Sequence, residues 1–557
     1  MIINDLKARL IKYINTLSDD IGNNIVKGVT LSEPNNRKFG DLSTNAALVL
    51  AKPLRKNPLE IAGSIKEVME DWDEIGDVNV AKPGFVNFNL REKFILSSLA
   101  GVKDKDYGKN NSGRGMEVNL EYVSSNPTGS LHIGHGRWGV LGDVLANLYE
   151  ASGYNVEREY YVNDYGTQVK KFSQCVRCLY LGNFSVDLAY PRDGYPRATV
   201  GKVVEKIIEK HGKDFLVRID GGLDADLAKL ERASVNIMVS SIKDTLSSVG
   251  VEFDTWFRES TLYGEGNFEK VIERLKKEGL AYKKEGALWF KSGQYGDDKD
   301  RVIIRKDGLP TYFASDIMYL INKAGRDFDA LFYILGADHH GYVKRLEATA
   351  EALGIGKENL VIIIGQLVRI IKGGKVLKMS RRKGKVYTLR DLIEEVGKDA
   401  VRYFFSMNSF DTPMDFDIDL AKQKSNQNPV YYVQYAHARI ESILKNISEN
   451  TNFDIDNFSL ADISADSLKF TTETERNMAK LLVYFPDEVY SGCVNNSPYF
   501  ITQYLYRLAS EFHYFYNHYR VVNKTGINMD RLALILLVKQ VLLKGFKLIG
   551  ISAPKKM

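Results

Sequence analysis

The sequence predicts a multidomain α/β protein. A central α/β unit built on parallel strands is preceded by a small α/β unit and followed by an all-α one. Three observations carry this. Val118, Leu120 and Tyr122 alternate like a strand, a loop follows at Ser124–Ser130, then a helical pattern, then a second strand at Val156–Val162, which together make a βαβ unit. The alternation returns at Leu331–Leu335, Tyr342–Leu353 and Leu360–Ile364. From about Asn428 onward, Tyr, Leu and Arg recur at three- and four-residue spacing with few strand signals. A chain of 557 residues, at about 100–200 per domain, has room for three to five domains.

Taken in order, Ile3, Leu6, Leu10 and Ile14 fall at helical spacing, and Gly84–Leu90 alternates as an antiparallel strand does. The first unit is expected over 1–103, and the polar, glycine-rich run Asp104–Gly115 reads as a linker. The central unit is expected over 112–390. Its first helix carries Val140, Leu141, Val144, Leu145 and Leu148 on one face, and Gly153 ends it. Residues from about 170 to 290 read as an insertion, and 372–385 as a basic loop. A connecting helical segment is expected at 391–427 and the final helical unit at 428–557.

Composition narrows the class. Hydrophobic residues make up 44% and charged residues 26%, as in soluble globular proteins. The net charge of +5 is too small to announce a nucleic-acid binder, so any basic patch must come from local clustering. Cys175, Cys178 and Cys493 cannot form a disulfide framework for this length, which points to a reducing compartment. The Cys175–Cys178 pair lacks the partners of a four-ligand site, so no structural zinc is expected. The N-terminus has no apolar signal core, and the longest apolar run, Leu532–Val538, is too short to span a bilayer. A cytoplasmic protein is expected.

Two segments carry the chemistry. His132-Ile133-Gly134-His135 stands where the first loop enters its helix, and helix N-termini attract anions. Two imidazoles one turn apart there can donate to a phosphate, and Gly134 lets a flat base approach the backbone. Lys378-Met379-Ser380-Arg381-Arg382-Lys383-Gly384 is a dense cationic loop, preceded by Lys372-Gly373-Gly374-Lys375, with the charge to neutralise a triphosphate.

His132–His135 matches the HIGH motif of the class I aminoacyl-tRNA synthetases, and Lys378–Arg382 resembles their KMSKS loop. The resemblance implies a Rossmann-type catalytic domain, ATP with Mg2+ as substrate complex, and two-step chemistry through an aminoacyl-adenylate. It makes His132, His135, Lys378 and Arg381 catalytic. The loop departs from the pattern at Arg381 and Arg382, so either Arg381 or Lys383 stands for the second lysine. Glu121-Tyr122-Val123-Ser124-Ser125-Asn126-Pro127-Thr128-Gly129 and Leu309-Pro310-Thr311-Tyr312-Phe313-Ala314-Ser315-Asp316 look like arginyl-tRNA synthetase patterns. By that resemblance Glu121, Asn126, Tyr312 and Asp316 line an arginine pocket. Tyr312 and Asp316 lie four apart, on one face if helical, and a guanidinium wants carboxylates.

Other segments are similar to the same family. Phe39–Asn45 and Lys82–Asn87 resemble its N-terminal domain, which touches the tRNA elbow, and Val162–Gln168 resembles a catalytic-domain segment. Gly336-Ala337-Asp338-His339-His340-Gly341 resembles a segment near the ATP ribose and adenine. Tyr432–Arg439 and the tail Ala553–Met557 resemble its helical anticodon-binding domain. The resemblance thus implies ATP contacts at Gly134, Gly336, Asp338, His339 and Met379, and tRNA contacts at Phe85, Asn87, Tyr435 and Met557. The implied partners are arginine, ATP and tRNA(Arg), with activation dependent on bound tRNA. A monomer without membrane association is expected. A different amino acid, or a tRNA-binding paralogue without catalysis, are the competing readings.

Overall fold

The computed structural model describes the chain apart from residues 19–20, 221, 265, 338–339, 378–386, 456, 459–467 and 525 and the side chains of Asn23 and His340. The N-terminal unit holds α1 (Ile2–Ile14), α2 (Asn23–Val26), β1 (Leu31–Ser32), β2 (Leu42–Thr44), α3 (Ala46–Leu54), α4 (Pro58–Glu70), β3 (Ile75–Ala81), β4 (Phe85–Leu90) and α5 (Glu92–Leu99). Its sheet is antiparallel in the order β1-β2-β4-β3. Asn57 caps α4 by accepting from Leu59 N–H, with Pro58 at the first helical position, where its missing donor costs nothing.

The central unit begins with β5 (Glu117–Glu121), α6 (Ile133–Ala151) and β6 (Asn155–Val162). Then come α7 (Thr167–Gly182), α8 (Arg197–His211), β7 (Leu216–Ile219), β8 (Gly222–Ala225), α9 (Leu227–Ser248) and β9 (Thr255–Arg258). A second excursion holds α10 (Asn267–Lys277), β10 (Ala281–Lys284), β11 (Ala287–Phe290) and β12 (Arg301–Ile304). The chain returns through α11 (Tyr312–Ala324), β13 (Ala330–Gly336), α12 (His340–Ala352) and β14 (Leu360–Gly365). The main sheet runs β14-β13-β5-β6-β9, every pair parallel. Strand order therefore reverses between β5 and β13. In such doubly wound sheets ligands bind in the crevice beyond the strand ends at that switch point.

Two expectations need correction. The stretch 170–290 is not one insertion: β9 lies within it and is the edge strand of the main sheet, so there are two excursions, one on either side of β9. The segment 391–427 is not purely helical. After α13 (Leu389–Val396) and α14 (Lys398–Ser406) comes β17 (Met414–Asp417), then α15 (Ile418–Lys422). β17 pairs in parallel with β15 (Val368–Lys372), which also pairs with β16 (Lys375–Val376). A four-residue strand is too short for its alternation to stand out from flanking loop.

The C-terminal unit packs α16 (Pro429–Asn450), α17 (Glu473–Val494), α18 (Tyr499–His518) and α19 (Met529–Ile549), with a small hairpin of β18 (Val522–Asn523) and β19 (Gly526–Ile527). It is not a detached lobe. Helix α6 is buried round most of its girth, not on one face as its apolar pattern suggests, because α17 and α19 cover the side the sheet does not. Arg402 of α14, 1% exposed, ties these parts together. It donates to Asp143 of α6 (2.5 Å), to Val249 and Gly250 carbonyls after α9 (3.0 and 3.1 Å) and to the Ile549 carbonyl ending α19 (2.7 Å). Two helix C-termini, each the negative end of its dipole, thus face one guanidinium. At the other side, Asp41 of the N-terminal unit accepts from Arg476 (2.9 and 2.6 Å) and Lys480 (2.5 Å) of α17.

Candidate active site

The site lies at the carboxyl ends of β5 and β13. Leaving β5, Val123 and Ser124 take φ of +71° and +39°, a left-handed turn that costs a branched residue like Val about 1–3 kcal/mol. That turn sends the backbone back over the sheet, and Ser125 is pinned by exchange of two hydrogen bonds with the Tyr160 hydroxyl (2.9 and 2.8 Å).

His132 is the N-cap of α6. Its Nδ1 accepts from His135 N–H (3.3 Å), and His135 Nδ1 accepts from His132 N–H (3.4 Å). The rings stack at 3.5 Å. With both Nδ1 atoms accepting, each neutral ring carries its proton on Nε2, the nitrogen turned away from the helix end. Between them Gly134 sits close to the rings: a Cβ there would lie 3.1 Å from His132 Cε1, so a side chain would press on the stacked imidazole. Leu389 N–H donates to the Leu131 carbonyl (3.0 Å) and Thr388 bridges His132, so the chain leaving 378–386 is pinned to the histidine turn. Lys378, Met379, Arg381, Asp338 and His339 lie outside the described residues. Gly336 ends β13, paired with Gly365 of β14.

Across the crevice the four expected pocket residues stand on β5, the loop after it and α11, with unequal surroundings. Asn126 donates to Gln168 (3.0 Å), and the Tyr312 hydroxyl lies 3.1 Å from Thr167 Oγ1, so both meet the first turn of α7. Tyr312 is 52% exposed at the mouth, and Asp316 lies one turn further along α11, inside. Burial pushes the Asp316 carboxyl up to about 7, with Glu259 and Glu121 adding to the rise and Tyr342 and Arg345 opposing it. Glu121 differs from the expectation. Its carboxylate is already taken, at 2.7 Å, by Lys323.

Pairing sorts the acids. Glu121 has Lys323, Asp164 has Arg258 (3.1 Å), and Glu159 has Arg326 (2.6 Å), which also reaches Glu157 (3.3 Å). Neither Asp316 nor Glu259 forms an ion pair with a described cation. Glu259 is 2% exposed, directly after β9. Burial, then the nearby Asp164 charge, raise its carboxyl, while hydrogen bonds from Ser315 and Tyr161 oppose the rise. Two neighbouring acids with no ion pair to a described cation, the half-buried Asp316, which feels the Arg345 charge only at a distance, and the buried Glu259, can accommodate a cationic ligand. Sequence reasoning missed Glu259. The available signal was an acid closing a short aromatic strand, as Glu121 closes β5.

The expected tRNA-facing residues fall differently. Phe85 is 38% exposed on β4. Asn87, two residues on, is 5% exposed and lies within the sheet opposite Ser43 and Asn79. Tyr435 stacks on Tyr431, with the Arg439 guanidinium 4.4 Å above its ring. Met557 is exposed. Among the described residues no three His, Cys, Asp or Glu side chains are grouped as a metal would need, and no helix is long and apolar enough to cross a membrane.

Comparison with known proteins gives a consistent set of matches. Residues 4–90 match the family model described as arginyl tRNA synthetase N terminal domain, 98–433 the class I (R) tRNA synthetase catalytic domain, and 433–557 the DALR anticodon binding domain. The chain is 41% identical to the arginine–tRNA ligase of Carboxydothermus hydrogenoformans over 532 residues, covering 95% of this chain and 94% of that protein. It is 42% identical to that of Caldanaerobacter subterraneus over 543 residues, 96% and 94% of the two. Among solved structures it resembles Thermus thermophilus arginyl-tRNA synthetase in fold, with a TM-score of 0.74, 20% identity and full coverage of both chains. Mycobacterium tuberculosis methionyl-tRNA synthetase follows it at a TM-score of 0.54 and 12% identity, over 78% of this chain and 91% of that one.

Proposed function

The chain belongs to the arginyl-tRNA synthetases, a class I family, and we propose how its own residues make it an ATP-dependent arginine–tRNA ligase. The observation that carries the reading is the Asp316–Glu259 pair, one carboxylate half-buried on α11 a turn inside the exposed Tyr312, the other buried after β9, neither in an ion pair with a described cation. A guanidinium is a planar fork of donors and can bridge them. Tyr312 closes over the side chain, and Asn126 sits where the α-amino and carboxylate end emerges toward the histidine turn.

The arginine carboxylate then attacks the α-phosphorus of ATP, which enters as its Mg2+ complex, and pyrophosphate leaves. His132 and His135 donate to the phosphate oxygens on which charge develops, and Gly134 and Gly336 leave backbone open to the nucleotide. By the family pattern Lys378 and Arg381, or Lys383 in place of Arg381, hold the leaving pyrophosphate, with Met379, Asp338 and His339 as further ATP contacts. In the second step a hydroxyl of the terminal ribose of tRNA attacks the activated carbonyl and AMP departs. Residues 1–103 would meet the tRNA elbow through Phe85, and 428–557 the anticodon arm through Tyr435 and Met557. Activation waits for tRNA, which orders the site on binding. A cytoplasmic monomer fits this reading.

The test is aminoacylation of unfractionated tRNA with each amino acid in turn, alongside ATP–pyrophosphate exchange with and without tRNA. Charging with arginine alone, and exchange only when tRNA is present, are expected. Charging with another amino acid overturns the pocket assignment, and rapid exchange without tRNA overturns the induced fit.

A further inference from the structure

Lys323 is a buried cation set against two buried glutamates, Glu121 in direct contact and Glu159 within reach of its charge. It is fully buried on α11, where Tyr312, Asp316, Tyr319 and Lys323 follow at positions sharing one helix face toward the pocket. Its ammonium lies 2.7 Å from Glu121 Oε2 and over the rings of Tyr333 and Tyr319, at 4.0 and 4.6 Å. The single Tyr319 hydroxyl proton lies between that same Oε2 (2.9 Å) and Glu159 and is shared by the two carboxylates, while Ser124 donates to Oε1 (3.0 Å). Both oxygens of Glu121 thus already have partners from within the protein. Taking a lysine and a glutamate out of water together is costly, and apolar residues of like volume commonly serve stability as well or better. The pair sits within electrostatic reach of Asp316, whose carboxyl feels the Glu121 charge.

We propose that Lys323 is a specificity-determining positioning residue: its ammonium occupies the place beside Glu121 that a primary-amine side chain would otherwise take. The inference rests on reading this cavity as the arginine pocket. With that place filled, the counter-charge left for a ligand is the separate pair Asp316 and Glu259. A forked guanidinium spans two carboxylates, whereas the compact ammonium of free lysine satisfies one and leaves the other buried and unpaired. Selectivity against lysine is therefore built in two parts, a pair that suits the fork and an internal ammonium that removes the alternative.

The experiment compares full-length unaltered enzyme with Lys323→Met, Lys323→Gln and the double variant Lys323→Met/Glu121→Gln, charging tRNA(Arg) with arginine or lysine. Lys323→Gln keeps a donor to Glu121 and serves if Lys323→Met does not fold. Loss of the ammonium is expected to lower the arginine-over-lysine ratio of kcat/KM at least about tenfold, one buried charge pair's discrimination, through a fall in KM for lysine. In Lys323→Ala, where truncation leaves room for it, added ethylammonium should restore the ratio by refilling the vacated space, which a merely structural lesion would not permit. The double variant should also reject lysine again, because Glu121 no longer calls for a cation. An unchanged ratio in folded Lys323→Gln overturns the proposal. So does lysine charging that persists in the double variant. If the unaltered enzyme charges an amino acid other than arginine, the failure belongs to the pocket reading instead.

Discussion

Asp41 is buried and Asp316 half-buried, and desolvation pushes both carboxyls up. They end on opposite sides of the ordinary value. Asp41, between the N-terminal unit and α17, has Arg476 and Lys480 built against it, and these outweigh burial and hold it low. Asp316, with Glu259 nearby, has no described ion-pair partner and rises to about 7. One acid is completed by the fold; the other, on the proposed reading, waits for a ligand. A buried carboxylate marks function here by lacking what the other possesses.

The difference can be broken most severely at Asp316. Asp316→Asn should cut kcat/KM for arginine by about 10³, since a buried charged group loses its partner. Asp41→Asn should leave the arginine dissociation constant unchanged, measured by calorimetry with tRNA bound. Equal effects of the two would erase the distinction.

Stability should show the opposite signs. Asp41→Asn should cost on the order of 3 kcal/mol in denaturant unfolding at neutral pH. Because the folded Asp41 carboxyl is lowered, its contribution is present above the ordinary value near 3.8 and is lost as pH falls through the folded value. Asp316 works in reverse. The folded state holds its proton more tightly, so stability from this group is full below the ordinary value and is lost as pH rises through about 7. Asp316→Asn should therefore melt higher than the unaltered protein by about 2 °C or more at pH 8, with the gain vanishing near pH 4. A variant less stable at pH 8 would contradict the charge reading.

The pH dependence of binding is a milder probe. A guanidinium wants ionised carboxylates, so KM for arginine should rise up to about tenfold per unit as pH falls below about 7. In Asp316→Asn that rise should weaken. Smallest of all, Lys480→Met should cost about 1 kcal/mol or less, because Arg476 retains two hydrogen bonds to Asp41.

These two acids also show what was legible in the sequence. Asp316 was readable because Tyr312 and Asp316 share a helical spacing within a recognisable segment, and His132–His135 because it stands at a strand–loop–helix junction. Glu259 was not, since β9 has only four residues and its place at the sheet edge depends on pairing with β6, far away in sequence. Glu121 was recognised as a pocket acid, but its partner Lys323 lies 202 positions on and carries no pattern of its own. The βαβ core and the helical C-terminal unit follow from periodicity. The strand β17 and the closeness of the C-terminal helices to α6 follow only from tertiary contacts, which local spacing does not encode.

Arg402 adds a condition on how the molecule can be made. A ribosome lays down Asp143, Val249 and Arg402 well before Ile549, yet the guanidinium needs that final carbonyl as well as the earlier ones. Until α19 emerges, Arg402 lacks one of its four acceptors and α6 one of its covering helices, so the histidine-bearing helix keeps one flank open while the earlier contacts form. A polypeptide released before Met529 would present that flank to chaperones and proteases. Incomplete copies would thus be recognisable by the helix they fail to cover, and removed before they could hold arginine, ATP or tRNA unproductively.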